Sequence, residues 1–364
     1  MKRFLLIWFL VPIFMQAQER LGEWKALTSI LNVRDIIYTE EAIYAATGGG
    51  VFELKDEQYS TYTTIDGLNG VDLSCLTLDH QSNLWVGGDS PFGFLQVYDL
   101  KNNKSIASFD FGLTSIIDIQ INGMLAWALF QDGIDVGFMK FIFDGQWEYR
   151  DSYSNYPEGS GKINCLTIND SVVFLGMENG LYSARINDNM KDPNNWKKQL
   201  TDFNEEITSI QLNENQIIFT TNNDIYEYNL SNGILNEIDF SYELTNARNL
   251  NVTPQGYWFS DGVNLYLRSN DIDLLVDDRF EITSISHQSG QFIAGLSSGI
   301  LFVYENDGSY TTNRLIPNSP ATGSFSAITI LEDGRLVGGS RHGISIFNGL
   351  GWRNILVIKT NGSM

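Results

Sequence analysis

The chain has 364 residues, with 23 Lys and Arg against 44 Asp and Glu, so its formal net charge is -21. Nucleic acid is not an expected partner, because contact with phosphate backbones needs clustered basic side chains. Lys197-Lys198 is the one adjacent basic pair after Lys2-Arg3. The acidity is typical of a soluble exported domain, and the alternative is an acidic surface that recruits a cation or a basic partner.

Residues 1–18 have the layout of a secretory signal peptide. Lys2-Arg3 precedes an apolar stretch from Phe4 to Phe14, and the small-residue site Gln16-Ala17-Gln18 follows. We therefore expect the mature protein to be exported. No later stretch approaches the ~18 consecutive apolar residues of a membrane span, so no transmembrane segment is expected in this chain.

A unit of about forty residues returns along the rest of the chain. Each unit has an apolar strand, a turn, a second apolar strand with aromatic and small residues, a glycine turn and a third strand. The clearest copy runs from Leu76-Thr77-Leu78-Asp79 to Leu84-Trp85-Val86-Gly87-Gly88. The first strands align on Ile36, Leu76, Ile119, Leu166, Ile210, Leu250, Ile285 and Ile328. Forty residues is the length of a four-stranded propeller blade, so the sequence predicts an all-β fold, a β-propeller.

Two positions recur inside the units. An aromatic ring stands in the second strand at Trp85, Tyr44, Phe174, Phe219 and Trp258. A ring repeated at one position favours packing between neighbouring blades over ligand stacking. A glycine precedes the third strand at Gly50, Gly180, Gly299 and Gly343, where a tight hairpin needs positive φ.

The outer strand of a unit is marked by an aromatic near its start, as at Trp147, Trp196 and Trp352. Gly22-Glu23-Trp24 has the same form but stands before the first unit. We expect it to complete the last blade, so that the ring closes without an unpaired edge.

Two arrangements of the units stay open: one ring of eight, or a ring of seven followed by the first blade of a second ring. The second is preferred, because Pro317 and Pro320 interrupt the chain after the seventh unit. The predicted domains are a signal peptide at 1–18, a seven-bladed propeller at 19–312, and a linker with the first blade of a second, truncated propeller at 313–364.

Patterns that carry catalysis or bind metals are sparse. The histidines fall in different units without metal-ligand spacing: His80, His287 and His342. Four acids lie at blade ends: Asp135, Asp151, Asp261 and Glu281. The sequence gives no reason to pair any two of them as the catalytic carboxylates of a glycosidase. We therefore expect that the protein is not an enzyme, that it binds no cofactor and that it has no metal site.

The two cysteines occupy the same slot in the second and fourth units. Equivalent strands two blades apart lie beyond the ~7 Å Cα separation that a disulfide allows. Cys75 and Cys165 are therefore expected to be free, buried thiols.

Two loops depart from the short glycine turn of the other units, at 89–94 and at 130–138. Longer loops at one end of a propeller are where recognition is built, and the alternative is that they cover the central channel. The candidate binding residues in them are Phe92, Phe94, Phe130, Asp132, Asp135 and Phe138.

The stretch Asp66-Gly67-Leu68-Asn69, Leu73 to Asp79, and Asn83 to Gly88 resembles the two-component-regulator propeller repeat. Two exported families carry such repeats in paired rings: sensor regions of hybrid histidine kinases, and PorZ-like proteins of the type IX secretion system of Bacteroidetes. Ala46 to Phe52 and Gly351 to Lys359 are most similar to the PorZ-like family.

The resemblance implies a non-enzymatic scaffold at the periplasm or outer surface of a Gram-negative bacterium. Its implied partners are a sortase-like protein, other components of the attachment complex, and an anionic lipopolysaccharide or glycan. The alternatives are a ligand-sensing propeller of a hybrid two-component histidine kinase and, third, an exported carbohydrate-active enzyme.

Overall fold

The computed structural model describes residues 25–269, 272–306 and 308–356, which form four-stranded antiparallel sheets in an all-β fold. Each of these sheets takes four consecutive strands in order, the meander that a propeller blade requires. Among these residues, no helix is long and apolar enough to cross a membrane.

Sheets 1 to 4 come first along the chain. Their strands are β1 (Val33–Tyr38), β2 (Ile43–Thr47), β3 (Gly50–Lys55) and β4 (Gln58–Tyr62); β5 (Leu73–Leu78), β6 (Leu84–Gly88), β7 (Gly93–Asp99) and β8 (Lys104–Leu113); β9 (Ser115–Asn122), β10 (Leu125–Asp132), β11 (Asp135–Phe143) and β12 (Trp147–Tyr153); β13 (Ile163–Ile168), β14 (Val172–Met177), β15 (Gly180–Arg185) and β16 (Lys197–Lys198). Two short 3-10 helices lie between strands, at Thr64–Asp66 and Pro193–Asn195.

Sheets 5 to 8 follow the same plan. Their strands are β17 (Ser209–Asn213), β18 (Gln216–Thr220), β19 (Ile225–Asn229) and β20 (Leu235–Glu237); β21 (Arg248–Thr253), β22 (Gly256–Ser260), β23 (Leu265–Ser269) and β24 (Ile272–Asp277); β25 (Ile282–Gln288), β26 (Gln291–Leu296), β27 (Gly299–Asn306) and β28 (Ser309–Leu315); β29 (Ala327–Ile330), β30 (Leu336–Ser340), β31 (Gly343–Phe347) and β32 (Trp352–Leu356).

Sheets 1 to 7 close directly into a ring, because β1 packs against β25 and β26 of sheet 7. The Tyr38 amide donates a hydrogen bond to Oγ of Ser286 at 2.9 Å. Bonds of the same kind join earlier neighbours, from the Leu76 amide to Asp35 at 2.9 Å and from the Leu250 amide to Ser209 at 3.2 Å. The seam between sheets 7 and 1 is thus built like the seams inside the ring.

A polar side chain near the start of the innermost strand also reaches across several of these seams. Arg34, Ser74 and Asn164 are each the extra residue of a β-bulge in their strand. Their side chains donate to carbonyl oxygens of the next sheet, at Leu73 (2.9 Å), Ile116 (2.5 Å) and Ile207 (3.0 Å). Each bulge turns one side chain from its own sheet toward its neighbour.

The hydrophobic core lies between neighbouring sheets, and the repeated aromatic side chains fill it. Trp85 packs with sheet 3, Phe174 with sheet 5 and Trp258 with sheet 7, which confirms the predicted packing role. Phe219 differs from the prediction in position: it pairs with Ile210 and faces sheet 4. Ile218 is the residue of sheet 5 that stands where Trp85 stands in sheet 2.

The predicted glycine turns are confirmed by the backbone. Gly50, Gly180, Gly299 and Gly343 all have positive φ, from 107° to 131°. Three of them also touch the next strand, and at Gly299 a Cβ would lie 2.2 Å from the carbonyl oxygen of Leu315. Only glycine fits such a position without moving the backbone.

The expected closure by an N-terminal strand needs correction. Among the described residues, the fourth strand of sheet 7 is β28, at the place where the N-terminal strand was expected. Trp24 lies outside the described residues, as does the predicted signal peptide, and residues 25–32 contain no strand. They run beside the linker instead, where Ser29 Oγ donates to the Pro320 carbonyl at 2.9 Å and Ser319 Oγ accepts from the Ile30 amide at 2.9 Å.

Sheet 8 lies outside the ring. The ring ends at Leu315, the last residue of β28, rather than at residue 312, and sheet 8 begins at Ala327. Its first strand exposes Ile328 by 64% and Ile330 by 70%. Ile36, which holds the position of Ile328 in the first unit, is 3% exposed. Sheet 8 therefore exposes apolar side chains at a position that the first unit buries.

Candidate recognition rim

The two candidate loops lie on one face of the ring. Both connect a second to a third strand, in sheets 2 and 3, and strands in these sheets alternate in direction. Connections of this kind share a face with the starts of the innermost strands, here called the upper face. The recognition rim is defined as residues 89–92 and 132–135 on that face.

In sheet 2 the rim projects an aromatic side chain into solvent. Phe92 is 79% exposed, and its amide donates to the Asp89 carbonyl at 3.1 Å. The Asp89 amide donates in turn to the Asp72 carbonyl at 2.9 Å. These bonds fix the turn that holds Phe92 outward.

In sheet 3 the loop is only two residues long. Asp132 pairs with Asp135 at the ends of β10 and β11, and Gly133 takes a φ of +60°. The Gly133 amide donates to Oγ1 of Thr114 at 2.8 Å. Ile134, at the tip, is 78% exposed, while both aspartates are exposed beside it.

Three of the predicted phenylalanines are corrected by the structure. Phe130 and Phe138 belong to β10 and β11 and are 8% and 0% exposed. Phe94 packs with the core between sheets 1 and 2 and lies over Gly88. Phe92, Asp132 and Asp135 are therefore the predicted residues that reach solvent at the rim. The sequence reasoning missed Ile134, although it follows Asp-Gly, a strong two-residue hairpin signal.

The charge around the rim is negative. Arg34 Nη1 contacts Asp72 at 2.7 Å and Asp89 at 2.8 Å, so this cation is already shared by two carboxylates. The sequence has no Lys or Arg in 56–100 or in 105–139. Lys101 and Lys104 lie at the turn between β7 and β8, on the opposite, lower face.

Two carboxyl groups not singled out from the sequence lie on innermost strands. Asp35 accepts the Leu76 amide hydrogen across the seam between sheets 1 and 2. Burial, together with a smaller contribution from the nearby charge of Asp118, raises the pKa of Asp35 to about 7. Burial also raises the pKa of Asp118.

Two of the blade-end acids considered as glycosidase carboxylates form structural contacts. Asp151 forms an ion pair with Lys191 at 2.6 Å. Asp261 accepts the Asn264 amide hydrogen at 3.1 Å and the Tyr266 hydroxyl at 3.0 Å. A surface ion pair thus accounts for Asp151, and turn hydrogen bonds account for Asp261.

The remaining candidates also have packing contacts. Cys75 and Cys165 are free thiols, the first buried and the second half-buried, and each packs on the glycine opposite it, Gly87 or Gly176. The His287 ring stacks on Phe292 at 5.5 Å, and burial lowers the pKa of His287.

A cleft of about 430 Å³ lies between sheet 1, residues 25–30 and sheet 8, and residues of all three line it. It is lined by aromatic and polar side chains, including Tyr59, Asn318, Phe347 and Trp352, and Lys25 Nζ lies 5.6 Å from the centre of the Phe347 ring. The cleft is remote from the rim in the chain and borders the uncovered sheet 8.

No protein-family model matches this chain, and no curated protein matches it. Solved structures share its fold. PorZ, a surface component of the type IX secretion system of Porphyromonas gingivalis, is similar with a TM-score of 0.69 and 15% identity, over 92% of this chain and 46% of PorZ.

Two further solved structures have related folds. The extracellular domain of the putative hybrid two-component system BT4673 from B. thetaiotaomicron has a TM-score of 0.58 and 16% identity, over 89% of this chain and 46% of that one. The WD40 propeller of Doa1 has a TM-score of 0.58 and 12% identity, over 78% of this chain and 97% of that one. The chain thus spans about half the length of PorZ and of the BT4673 domain, and it shares their propeller fold.

Proposed function

We propose that this protein is an exported, non-enzymatic propeller that acts as a scaffold in a type IX secretion attachment complex. The observation that supports it most is the combination of a closed seven-sheet ring with a further, uncovered blade beside it. PorZ has a similar fold over 92% of this chain. A ring of this kind is a rigid platform whose loops bind partners.

The proposed partners are a sortase-like protein, other components of the attachment complex, and an anionic lipopolysaccharide or glycan. The proposed location is the periplasm or the outer surface of a Gram-negative bacterium of the Bacteroidetes. Sheet 8 is proposed to be the first blade of a second ring, because its apolar side chains stand at positions that the ring sheets bury.

A deletion strain tests the secretion role. Loss of the gene is expected to release cargo of the secretion system from the cell surface into the medium, and the intact gene should restore attachment. Cargo that stays attached in the deletion strain would overturn the proposal.

The second candidate function is ligand sensing for a hybrid two-component system, favoured by the similarity to the BT4673 extracellular domain. It predicts a different phenotype in the same strain. Transcription of a defined gene set would change while cargo remained at the surface, so measuring both separates the two functions.

A further inference from the structure

The recognition rim contains two exposed apolar side chains, one from each of two neighbouring blades. Gly93, next to Phe92, packs so tightly on sheet 3 that a Cβ there would lie 2.7 Å from Cα of Ser115. The preceding residue, Thr114, accepts the amide hydrogen of Gly133, next to Ile134. Through these contacts Phe92 and Ile134 stand on adjacent parts of the upper face.

We propose that the recognition rim binds a cationic protein segment whose apolar side chains contact Phe92 and Ile134. Exposed apolar side chains that form a shared surface patch mark interaction sites, and Phe92 and Ile134 are 79% and 78% exposed. Aromatic and aliphatic anchors supply much of the binding energy in protein interfaces. The rim offers one of each.

The charge of the rim selects the kind of partner. Asp132 and Asp135 flank Ile134 closely, and Asp89 stands three residues before Phe92. Among the described residues, neither Asp132 nor Asp135 forms an ion pair, and Arg34 is held by Asp72 and Asp89. Lys or Arg beside the apolar side chains of a partner would meet these carboxylates, whereas an anionic polysaccharide would be repelled.

The rim is held in shape before a partner arrives. The Asp89 turn is fixed by backbone bonds to Phe92 and Asp72, and the second loop is fixed by the Gly133 bond to Thr114. A pre-formed surface loses less conformational entropy on binding. This inference does not depend on the secretion role, because it rests on the rim alone.

Binding of a synthetic amphipathic peptide of Lys and Leu to the purified chain tests the proposal. Its comparison probes are a peptide of Glu and Leu, a peptide of Lys and Ser, and polygalacturonate as an anionic polysaccharide. Fluorescence anisotropy measures each affinity at low and at high ionic strength. The Lys-Leu peptide is expected to bind best and to weaken as salt screens the charges.

Two rim variants and one control locate the site. Phe92→Ser with Ile134→Ser is expected to weaken binding about tenfold or more. Asp132→Asn with Asp135→Asn is expected to weaken it about three- to tenfold and to reduce the salt dependence. Asp144→Asn with Asp188→Asn removes two exposed acids from turns of the lower face and should leave the affinity unchanged.

Each remaining outcome contradicts the proposal. Equal losses in the rim and control variants would mean that the peptide is attracted by the overall negative charge. Binding of polygalacturonate that depends on the rim residues would assign the rim to a polysaccharide. Failure of the unmodified chain to bind the Lys-Leu peptide would remove the basis for a cationic partner. Thermal unfolding of each variant verifies that the ring is intact.

Discussion

The indole nitrogen of Trp147 donates a hydrogen bond to Oδ2 of Asp79 at 2.9 Å, which ties the outer strand of sheet 3 to the first turn of sheet 2. The other oxygen of Asp79 accepts the amide hydrogens of Gln81 and Asn83, at 2.8 and 2.9 Å. Asp79 is buried, so one carboxylate shapes a turn and joins two blades.

Replacing Asp79 with Ala is expected to destabilise the chain by about 2–4 kcal/mol, because several buried donors lose their acceptor at once. Trp147→Phe should cost less, since it removes one donor and leaves the turn intact. Urea unfolding followed by fluorescence measures both. Asp188→Ala, at an exposed acid between β15 and β16, is the control. A loss for Asp79→Ala that equals the control would show that this bond network has no stabilising role.

The carboxyl group of Asp35 is expected to make stability depend on pH. Its pKa in the folded chain, about 7, lies above the ordinary value of 3.8. The folded state therefore favours the neutral form, and the associated stability is fully present below pH ~4 and is lost as pH rises through ~7. Asp35→Asn keeps a neutral oxygen for the Leu76 amide and removes this dependence.

Calorimetry of Asp35→Asn and the unmodified chain from pH 4 to pH 8 measures the effect. The melting temperature of the variant minus that of the unmodified chain should increase with pH by a few degrees. Groups that do not interact with Asp35 titrate alike in both proteins and cancel in the difference, so the remaining change reports Asp35 and its neighbour Asp118. A difference that stays constant over this range would refute the raised pKa.

Ile36 and Ile328 hold the same position in their units but are expected to respond differently to substitution. Ile36→Thr buries a hydroxyl and removes apolar contact in the ring core, at a cost of about 2 kcal/mol. Ile328→Thr changes an exposed side chain and should alter stability by less than about 0.5 kcal/mol. Equal losses would mean that sheet 8 is packed against other sheets, as in a ring of eight.

The blade plan was predictable because it depends on local patterns. The same contacts recur in each unit. They account for the forty-residue spacing, the aromatic side chains at Trp85 and Trp258, and the glycine at position 299. The bulge residues also have a recurring position in the sequence. Arg34, Ser74 and Asn164 each stand two residues before the aligned apolar residue of their unit.

The remaining features depend on contacts between distant parts of the chain. The Trp24 segment has the form of an outer strand, but no local pattern tells which sheet has room for it. The sequence predicts a loop at 130–138, which includes Phe130 and Phe138, because no local pattern marks where the strands on either side end. In the structure β10 and β11 continue until only Gly133 and Ile134 are left between them, so those rings fall in the core.

The most direct test of the seven-sheet ring is a disulfide across the seam between sheets 7 and 1. The Tyr38 backbone amide lies 2.9 Å from Ser286 Oγ, which places the two residues next to each other across the seam. Tyr38→Cys with Ser286→Cys is therefore expected to form a disulfide, and mass spectrometry of the oxidised chain identifies the linked peptides. Single substitutions control for pairing with Cys75 or Cys165. The ring of seven predicts that a 38–286 disulfide forms on oxidation. In a ring of eight, sheet 8 would separate these residues beyond the ~7 Å limit, so a chain without that disulfide would contradict direct closure.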